Sequence, residues 1–250
     1  MDPEPFIRSA ALLPPLEGEQ RDGYPWDLPV IGALAGAAGL ALHAHVTYLV
    51  GENGSGKSTL VEAIAVAAGM NPEGGGRNFD VSTRASHSEL GGALRLVRGA
   101  RRPRTDFFLR AESLYTNATY LENLPPPPSG DRFEAYGGRS LHEQSHGESF
   151  LAVLINRFGP DGLYLLDEPE AALSPQNCLT FLRRMDELVR AGSQFVVATH
   201  SPIVLAYPGA LIYECGRAGV EPVAYDDAEP VRLMRAFLGA PDRFVERLFE

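Results

Sequence analysis

The chain has 250 residues, of which 44% are hydrophobic and 22% are charged, and these values are typical of one globular α/β domain. The 22 basic and 32 acidic residues give a net charge of −10. This balance argues against a broad surface that coats nucleic acid, although a local basic groove remains compatible with it.

The cysteines and the apolar runs indicate the compartment. Cys178 and Cys215 are isolated in the sequence, so they predict neither a zinc site nor a disulfide framework and favour reduced thiols in the cytoplasm. Asp2 and Glu4 stand where a signal peptide would be basic. The longest apolar run, residues 30–42, is shorter than the roughly 20 residues that a membrane-spanning helix needs. We therefore expect a cytoplasmic protein without membrane insertion.

The first segment places aromatic residues ahead of a glycine-rich loop. Residues 6–7 and then 10–13 predict a first strand, and Tyr24 and Trp26 follow a polar turn. An aromatic side chain here either stacks on an adenine ring or packs at the border of the sheet. Packing is the commoner role of amphipathic aromatics at such a border.

The most specific pattern is a glycine-rich loop between a strand and a helix. Its residues are Gly51, Glu52, Asn53, Gly54, Ser55, Gly56, Lys57, Ser58 and Thr59. They fit G-x-x-x-x-G-K-[ST], after an apolar strand at 46–50 and before a helix that ends at Gly69. Glycines let backbone N–H groups turn toward a phosphate, and the helix N-terminus adds partial positive charge. The pattern predicts nucleoside triphosphate binding, with Lys57 on the β- and γ-phosphates and Ser58 on Mg²⁺.

Weaker patterns fill the middle of the chain. A Gly- and Pro-containing loop at residues 70–90 either frames the nucleotide or is an exposed connection. The basic run from Arg98 to Arg104 either meets phosphates or forms a solvated face, which is the favoured reading. A Pro-rich loop at residues 124–130 is the best internal boundary.

Downstream elements alternate between helix and strand. They are a buried helix at 150–158, central strands at 162–166 and 195–199, edge strands at 211–214 and 220–225, and a helical tail interrupted at 239–241. Parallel strands deliver ligand-contacting residues at their carboxyl ends. We therefore predict that Asp167 orients Mg²⁺, that Glu168 is the general base for water, and that His200 contacts the γ-phosphate.

Five segments in order resemble the ABC-type ATPase domains. They are residues 51–59, 145–149, 163–170 (LYLLDEPE), 171–176 (AALSPQ) and 198–202 (ATHSP), which look like Walker A, signature, Walker B, D-loop and switch histidine. More closely, the chain resembles stand-alone bacterial AAA/ABC-type ATPases with an LHEQSHGESF signature.

The resemblance implies a fold, a cofactor set and an assembly. The fold would be that of a P-loop NTPase, with an ABC-ATPase-like mixed sheet flanked by helices. A single domain would span 1–250, with 1–70 and 160–250 as the nucleotide-binding core and about 71–159 as an inserted lid and signature subregion. A head-to-tail homodimer would hold two ATP molecules with Mg²⁺. The signature residues Ser145, Gly147 and Glu148 would face the γ-phosphate held by the partner's loop.

The sequence departs from the family pattern in three places. The signature is SHGES instead of LSGGQ, and no glutamine occupies the lid position, since the glutamines are Gln20, Gln144, Gln176 and Gln194. Residues 82–87 are the predicted substitute for that glutamine. Only 87 residues separate Lys57 from Ser145, which leaves no room for a long coiled-coil insertion.

These expectations describe a Mg²⁺-dependent ATPase and leave three purposes open. The chain acts on nucleic acid or through a protein partner, serves as the nucleotide-binding subunit of a transporter, or is an ATP-gated interaction switch with little turnover. The altered signature and missing glutamine disfavour the transporter, and the intact Asp167–Glu168 pair disfavours the switch.

Overall fold

The computed structural model describes residues 4–36, 38–75, 88–111, 114–123 and 133–249. The strands are β1 (Ile7–Leu12), β2 (Leu40–Ala41), β3 (Val46–Val50), β4 (Leu94–Arg98), β5 (Thr105–Arg110), β6 (Gly162–Asp167), β7 (Gln194–Ala198), β8 (Leu211–Gly216) and β9 (Gly219–Val223). The helices are α1 (Ile31–Leu34), α2 (Lys57–Ala68), α3 (Leu114–Asn123), α4 (His146–Asn156), α5 (Pro175–Arg190), α6 (Glu229–Gly239) and α7 (Pro241–Phe249).

The main sheet has six strands in the order β5-β6-β7-β3-β8-β9. The first five strands are parallel and β9 is antiparallel to β8. Every residue of β3, β6 and β7 is buried, as expected for apolar, β-branched strands covered on both faces. Because the strands are parallel, the segments that follow β3, β6 and β7 emerge at one edge of the sheet.

Helices and a smaller sheet cover the two faces of the main sheet. One face packs against α4 and α5 through Phe150, Phe181 and Met185, and the other packs against α2 through Leu60 and Ile64. The smaller antiparallel sheet, of order β2-β1-β4, lies beside α2. This arrangement confirms the predicted mixed α/β sheet flanked by helices.

The buried Gln194 side chain joins the smaller sheet to the main one. Its amide oxygen accepts a hydrogen bond from the Ile7 backbone N–H at 3.0 Å, and its amide nitrogen donates to the Ile7 carbonyl at 2.8 Å. Satisfying buried polar groups in this way fixes the position of β1 against the amino end of β7.

Two local predictions were wrong. Residues 211–214 are not an edge strand, because β8 pairs with β3 on one side and with β9 on the other. The helix α4 is not buried all round, since Ile155 is 51% exposed, and it ends at Asn156 instead of at residue 158. In both cases the apolar composition does not show which neighbouring element covers each side of the strand or helix.

Residues 82–87, proposed to replace the lid glutamine, and the Pro-rich loop at 124–130 lie outside the described residues. The division into core and inserted subregion stays a prediction. Within the described part of the chain, no helix is both long and apolar enough to cross a bilayer.

Candidate functional site

The glycine-rich loop connects the end of β3 to the start of α2. Its Gly51 has φ 137°, and a Cβ there would lie 2.1 Å from the carbonyl oxygen of Cys215, so only glycine fits. Gly56, with φ 94°, precedes α2 and supplies no side-chain cap. The first backbone N–H groups of α2 are therefore available to an anion.

Lys57 is the single lysine of the chain, and it is buried at the start of α2. Its ammonium Nζ donates to the carbonyl oxygens of Gly51 and Glu52, both at 2.8 Å. Burial lowers the pKa of Lys57, and nearby acidic groups, with Cys215 and Glu168 foremost, only partly offset this effect. The loop thus holds a buried cation in a preorganised position.

Glu168 and His200 meet where β6 and β7 end. Glu168 adopts the left-handed conformation (φ 49°, ψ 55°), which is rare for a non-glycine residue and clusters at functional sites. Its backbone N–H donates to the Ala198 carbonyl at 2.9 Å. Its carboxylate Oε1 lies 3.6 Å from His200 Nε2. The carboxylate and the imidazole are therefore adjacent, at the ends of neighbouring strands.

An open cavity of about 620 Å³ lies over the loop. It is lined by Tyr24, Leu28, Asn53, Gly54, Gly56, Lys57, Ser58, Thr59, Glu168 and His200. An adjoining cavity of about 470 Å³ is lined in part by Gly51, Glu52 and Ser55. The structure therefore brings the loop, the general-base candidate and the histidine around one space.

Asp167 lies at the buried end of β6, close enough to Lys57 to act on its pKa. The described residues contain no cluster of three or more His, Cys, Asp or Glu side chains that would enclose a metal. Mg²⁺ bound to a nucleotide needs only one or two protein oxygens, because phosphates and water complete its shell. The Ser58 hydroxyl and the Asp167 carboxylate are oxygen donors of this kind, so the donor set fits Mg²⁺.

The signature residues lie elsewhere on the chain. Ser145 caps α4: its Oγ accepts from the Glu148 N–H at 3.4 Å, while the Glu148 carboxylate accepts from the Ser145 N–H at 2.9 Å. The hydrogen bond from the Ser145 side chain lowers the pKa of Glu148. A Cβ on Gly147 would lie 3.0 Å from the Ala172 carbonyl. None of the three signature residues lines the cavity over the loop, as far as the chain is described.

Arg110 and Glu62 form a contact network that the sequence did not reveal. Arg110, at the end of β5, contacts the Glu62 carboxylate at 2.8 Å and the Asp167 carboxylate at 3.5 Å. Glu62, on α2, also accepts from the Ser88 N–H at 3.1 Å. The only sequence signals were an arginine at a strand end and a glutamate inside an apolar helix. The network ties Asp167 to the helix that carries Lys57.

Glu170 holds the segment that follows β7. Its carboxylate Oε1 accepts from the backbone N–H of His200 at 2.5 Å and of Ser201 at 3.1 Å. This acceptor fixes the turn that carries the histidine and was also missed from sequence. Such a role is set by a contact between residues 30 positions apart, which no local pattern encodes.

Of the two aromatics ahead of the loop, Tyr24 lies at the cavity. Tyr24 is 68% exposed, and its hydroxyl lies 3.3 Å from Thr59 Oγ1. Trp26 packs under the Arg21 guanidinium, 4.7 Å from the ring centre. The favoured packing role therefore describes Trp26, whereas Tyr24 is exposed beside the loop.

The strand, glycine loop and helix, with a buried lysine and carboxylates at parallel strand ends, define a P-loop nucleotide-binding domain. Two family profiles match the sequence. One, described as "AAA domain, putative AbiEii toxin, Type IV TA system", covers residues 98–206, and another, described as "AAA domain", covers residues 37–108. The two AAA-domain profiles together match residues 37–206 of the chain.

Solved structures are similar to the chain at low sequence identity. The SMC head domain from Thermotoga maritima has 17% identity and a TM-score of 0.41, over 74% of this chain and 92% of that one. cbiO1 from Clostridium perfringens, part of the ABC transporter complex cbiONQ, has 16% identity and a TM-score of 0.48, over 99% and 100%. At these values the likenesses support no inference about activity or partners. No curated protein matches the sequence.

Proposed function

We propose that this chain is a Mg²⁺-dependent ATPase that closes as a homodimer around ATP. The observation that carries the proposal is the single cavity shared by Lys57, Ser58, Glu168 and His200. A buried ammonium, an uncapped helix N-terminus and a carboxylate beside an imidazole are the groups that phosphoryl transfer to water requires.

Each group has a part in the hydrolysis. Lys57 and the free N–H groups of α2 bind the phosphates and stabilise the charge that grows on the β–γ bridging oxygen as its bond to the γ-phosphorus breaks. Glu168 accepts the proton of the attacking water, which adds to the γ-phosphorus in line, and His200 donates a hydrogen bond to a γ-phosphate oxygen. Ser58 and Asp167 would hold Mg²⁺, which supplies charge neutralisation of the triphosphate.

The substrate's base is assigned to the rim of the same cavity. Tyr24 presents an exposed ring within hydrogen-bond reach of Thr59. A tyrosine side chain is rigid and half polar, so it loses little conformational entropy when it stacks on an adenine. This contact would orient ATP without touching the reacting phosphates.

The dimer is supported by what one protomer lacks. The cavity is open, and the exposed side chains of Ser145 and Glu148 are not among the described residues that line it in their own chain. In a head-to-tail dimer, Ser145, Gly147 and Glu148 would cover the γ-phosphate of the partner's site. The ATPase would act on nucleic acid or through a protein partner. The transporter subunit and the low-turnover switch remain the rivals, distinguished by a membrane partner and by the measured rate.

The test is steady-state ATP hydrolysis, with and without DNA or RNA. We expect wild-type turnover, and a Glu168→Gln protein at least about 100-fold slower, the usual effect of losing a general base. The matched control is Glu221→Gln, since Glu221 is exposed on β9, and it should keep the wild-type rate. A Glu168→Gln protein with unchanged turnover would exclude the assigned role. Undetectable wild-type turnover would instead favour the switch.

A further inference from the structure

Glu170 lies two positions after the general-base candidate, in a short 3₁₀ turn. This turn, Pro169–Ala172, begins directly after Glu168. The Ala171 N–H donates to the Glu168 carbonyl at 3.0 Å, and the Leu173 N–H donates to the Glu170 carbonyl at 2.9 Å. These bonds fix the backbone of Glu170 relative to the end of β6.

The Glu170 carboxylate reaches across to the turn that follows β7. Its Oε1 accepts from the backbone N–H of His200 at 2.5 Å and from that of Ser201 at 3.1 Å. The Ser201 N–H has a second acceptor, Thr199 Oγ1, at 3.0 Å. In the described part of the chain, Glu170 is the acceptor of the His200 N–H. Hydrogen bonds to a carboxylate are short and strong, so the place of the His200 backbone depends mainly on Glu170.

The second oxygen of this carboxylate indicates a role other than stability. Glu170 Oε2 is buried and has no hydrogen-bond partner among the residues that the structure describes. A buried polar atom without a partner lowers the stability of the fold. Costs of this kind are typical of functional sites.

The Glu170 carboxylate and a backbone hydrogen bond link the segments that follow β6 and β7. The backbone bond runs from the Glu168 N–H to the Ala198 carbonyl, at 2.9 Å. Between the two links, Glu168 Oε1 lies 3.6 Å from His200 Nε2. The backbone bond therefore orients the general-base candidate, and Glu170 orients the imidazole. Displacing a reacting group by about 1 Å can slow a reaction about 100-fold.

We propose that Glu170 is a positioning residue, which holds His200 where its imidazole contacts the γ-phosphate beside Glu168. The inference rests on the hydrolysis proposed above. Glu170 is not among the described residues that line the cavity over the loop, so it acts through His200 and not by touching the nucleotide. Losing its carboxylate should leave ATP bound and the imidazole displaced.

The charge of Glu170 provides a second route to the site, through Lys57. Burial lowers the pKa of Lys57, and nearby groups oppose this effect, with Cys215 foremost and Glu170 last. The route through Lys57 is therefore the weaker one. The two routes are distinguishable, because a change at Lys57 alters ATP binding, whereas a displaced His200 alters the rate of the bound complex.

Steady-state hydrolysis of Mg²⁺–ATP tests the proposal. Glu170→Ala should lower kcat about tenfold or more, with the KM for ATP changed less than about twofold. Glu170→Gln keeps an acceptor oxygen without the charge, so its kcat should lie within about threefold of wild type. The matched control is Glu19→Ala, since Glu19 also accepts a backbone N–H, that of Leu16 at 2.7 Å, and is not among the described residues at the cavity. It should keep the wild-type kcat.

A double-mutant cycle with His200 separates positioning from a general loss of structure. His200→Ala alone should be about 100-fold slower than wild type, as for the loss of one donor to a developing charge. Adding Glu170→Ala to it should change kcat by less than about twofold, because the group that Glu170 positions is already gone. A further fall of about tenfold in the double variant, or a Glu170→Gln protein as slow as Glu170→Ala, would overturn the proposal.

Amide hydrogen exchange without nucleotide gives a readout that does not depend on turnover. The His200 N–H should be protected in the wild type and should exchange about tenfold faster or more in Glu170→Ala. The Glu168 N–H, bonded to Ala198, should stay protected in both. An unprotected His200 N–H in the wild type, or an unchanged kcat in Glu170→Ala, would refute the positioning role alone. A wild type without turnover, or a His200→Ala protein at the wild-type rate, would instead refute the proposed hydrolysis or the part of His200 in it, and the positioning role with it.

Discussion

The N-termini of α2 and α4 both present backbone N–H groups, but only the N-terminus of α4 is capped by side chains. The α2 terminus follows Gly56, has no side-chain cap and has a buried ammonium beside it. The α4 terminus is closed by the reciprocal hydrogen bonds of Ser145 and Glu148. One terminus therefore keeps backbone donors that no side chain caps, and the other is capped by its own side chains.

This difference shows why a helix start is not in itself an anion site. An uncapped terminus retains free donors, whereas a capping box satisfies two of them and adds a carboxylate. At α4, Glu148 places a negative charge where the proposed partner phosphate would approach. A role for α4 in the dimer therefore requires one of two changes. Either the side chains of Ser145 and Glu148 rearrange, or the backbone N–H groups that they cap also donate to the phosphate.

The largest expected effect is at the α2 terminus. Lys57→Ala should weaken ATP binding about 100-fold, because it removes a desolvated cation from the phosphates. Titration calorimetry with ATP measures this, and Lys57→Arg is the matched variant that keeps the charge without the shape. The thermal midpoint should not fall, since burial already disfavours the charged lysine. Unchanged ATP affinity would remove α2 from the proposed site.

The next prediction tests whether the α4 terminus acts on its partner. Lys57→Ala and Ser145→Arg proteins should each be inactive alone. A mixture should recover about a quarter of the wild-type ATPase rate, because half of the randomly formed dimers then contain one intact site. If the mixture stays inactive while mixed dimers are shown to form, the signature does not work in trans.

Replacing Arg110, which contacts Glu62 of α2, should have a moderate effect on the ATPase rate. Arg110→Gln should lower kcat about tenfold with little change in ATP affinity, since it removes a cation that both Glu62 and Asp167 contact without touching the phosphates. The Mg²⁺ concentration for half-maximal rate should rise, which a purely structural role would not cause. Arg102→Gln is the control. An unchanged Mg²⁺ dependence would make the network structural only.

Glu148 sharpens the comparison with a smaller effect. Glu148→Gln keeps the capping hydrogen bond but removes the charge, so it should lower the KM for ATP a few-fold if α4 faces the partner's phosphate. Glu148→Ala should instead lower the thermal midpoint slightly through the lost capping hydrogen bond. Thermal unfolding and steady-state kinetics separate the two effects. An identical KM in the Gln variant would place α4 away from the phosphate.

The smallest effect is a shift in the pKa of Lys57. Reductive ¹³C-methylation of the single lysine should give one lysine resonance, absent from Lys57→Ala, whose pKa is below the ordinary value because of burial. ATP should raise that pKa through its phosphate charge. Since the folded state binds this proton less tightly than the unfolded chain does, the Lys57 contribution to the unfolding free energy rises with pH between the two pKa values. A pKa unaffected by ATP would contradict the phosphate contact.

Local sequence patterns predicted the elements that depend least on contacts with distant parts of the chain. The strands around residues 46–50, 162–166 and 195–199, and the helix ended by Gly69, follow from apolar runs and a left-handed glycine. The status of β8 as an inner strand did not follow, because its pairing with β3 joins residues far apart in sequence. The exposed side of α4 was missed for the same reason.

The sequence by itself determined the phosphate loop, its strand and helix, and the order of the acidic and histidine segments, because these depend on residue type and short spacing. Only the tertiary structure decided that Arg110 links Glu62 to Asp167, that Glu170 holds the turn of His200, and that Tyr24 instead of Trp26 lies at the cavity. Those contacts join residues that strand order and helix packing bring together. No local preference of the chain encodes that proximity.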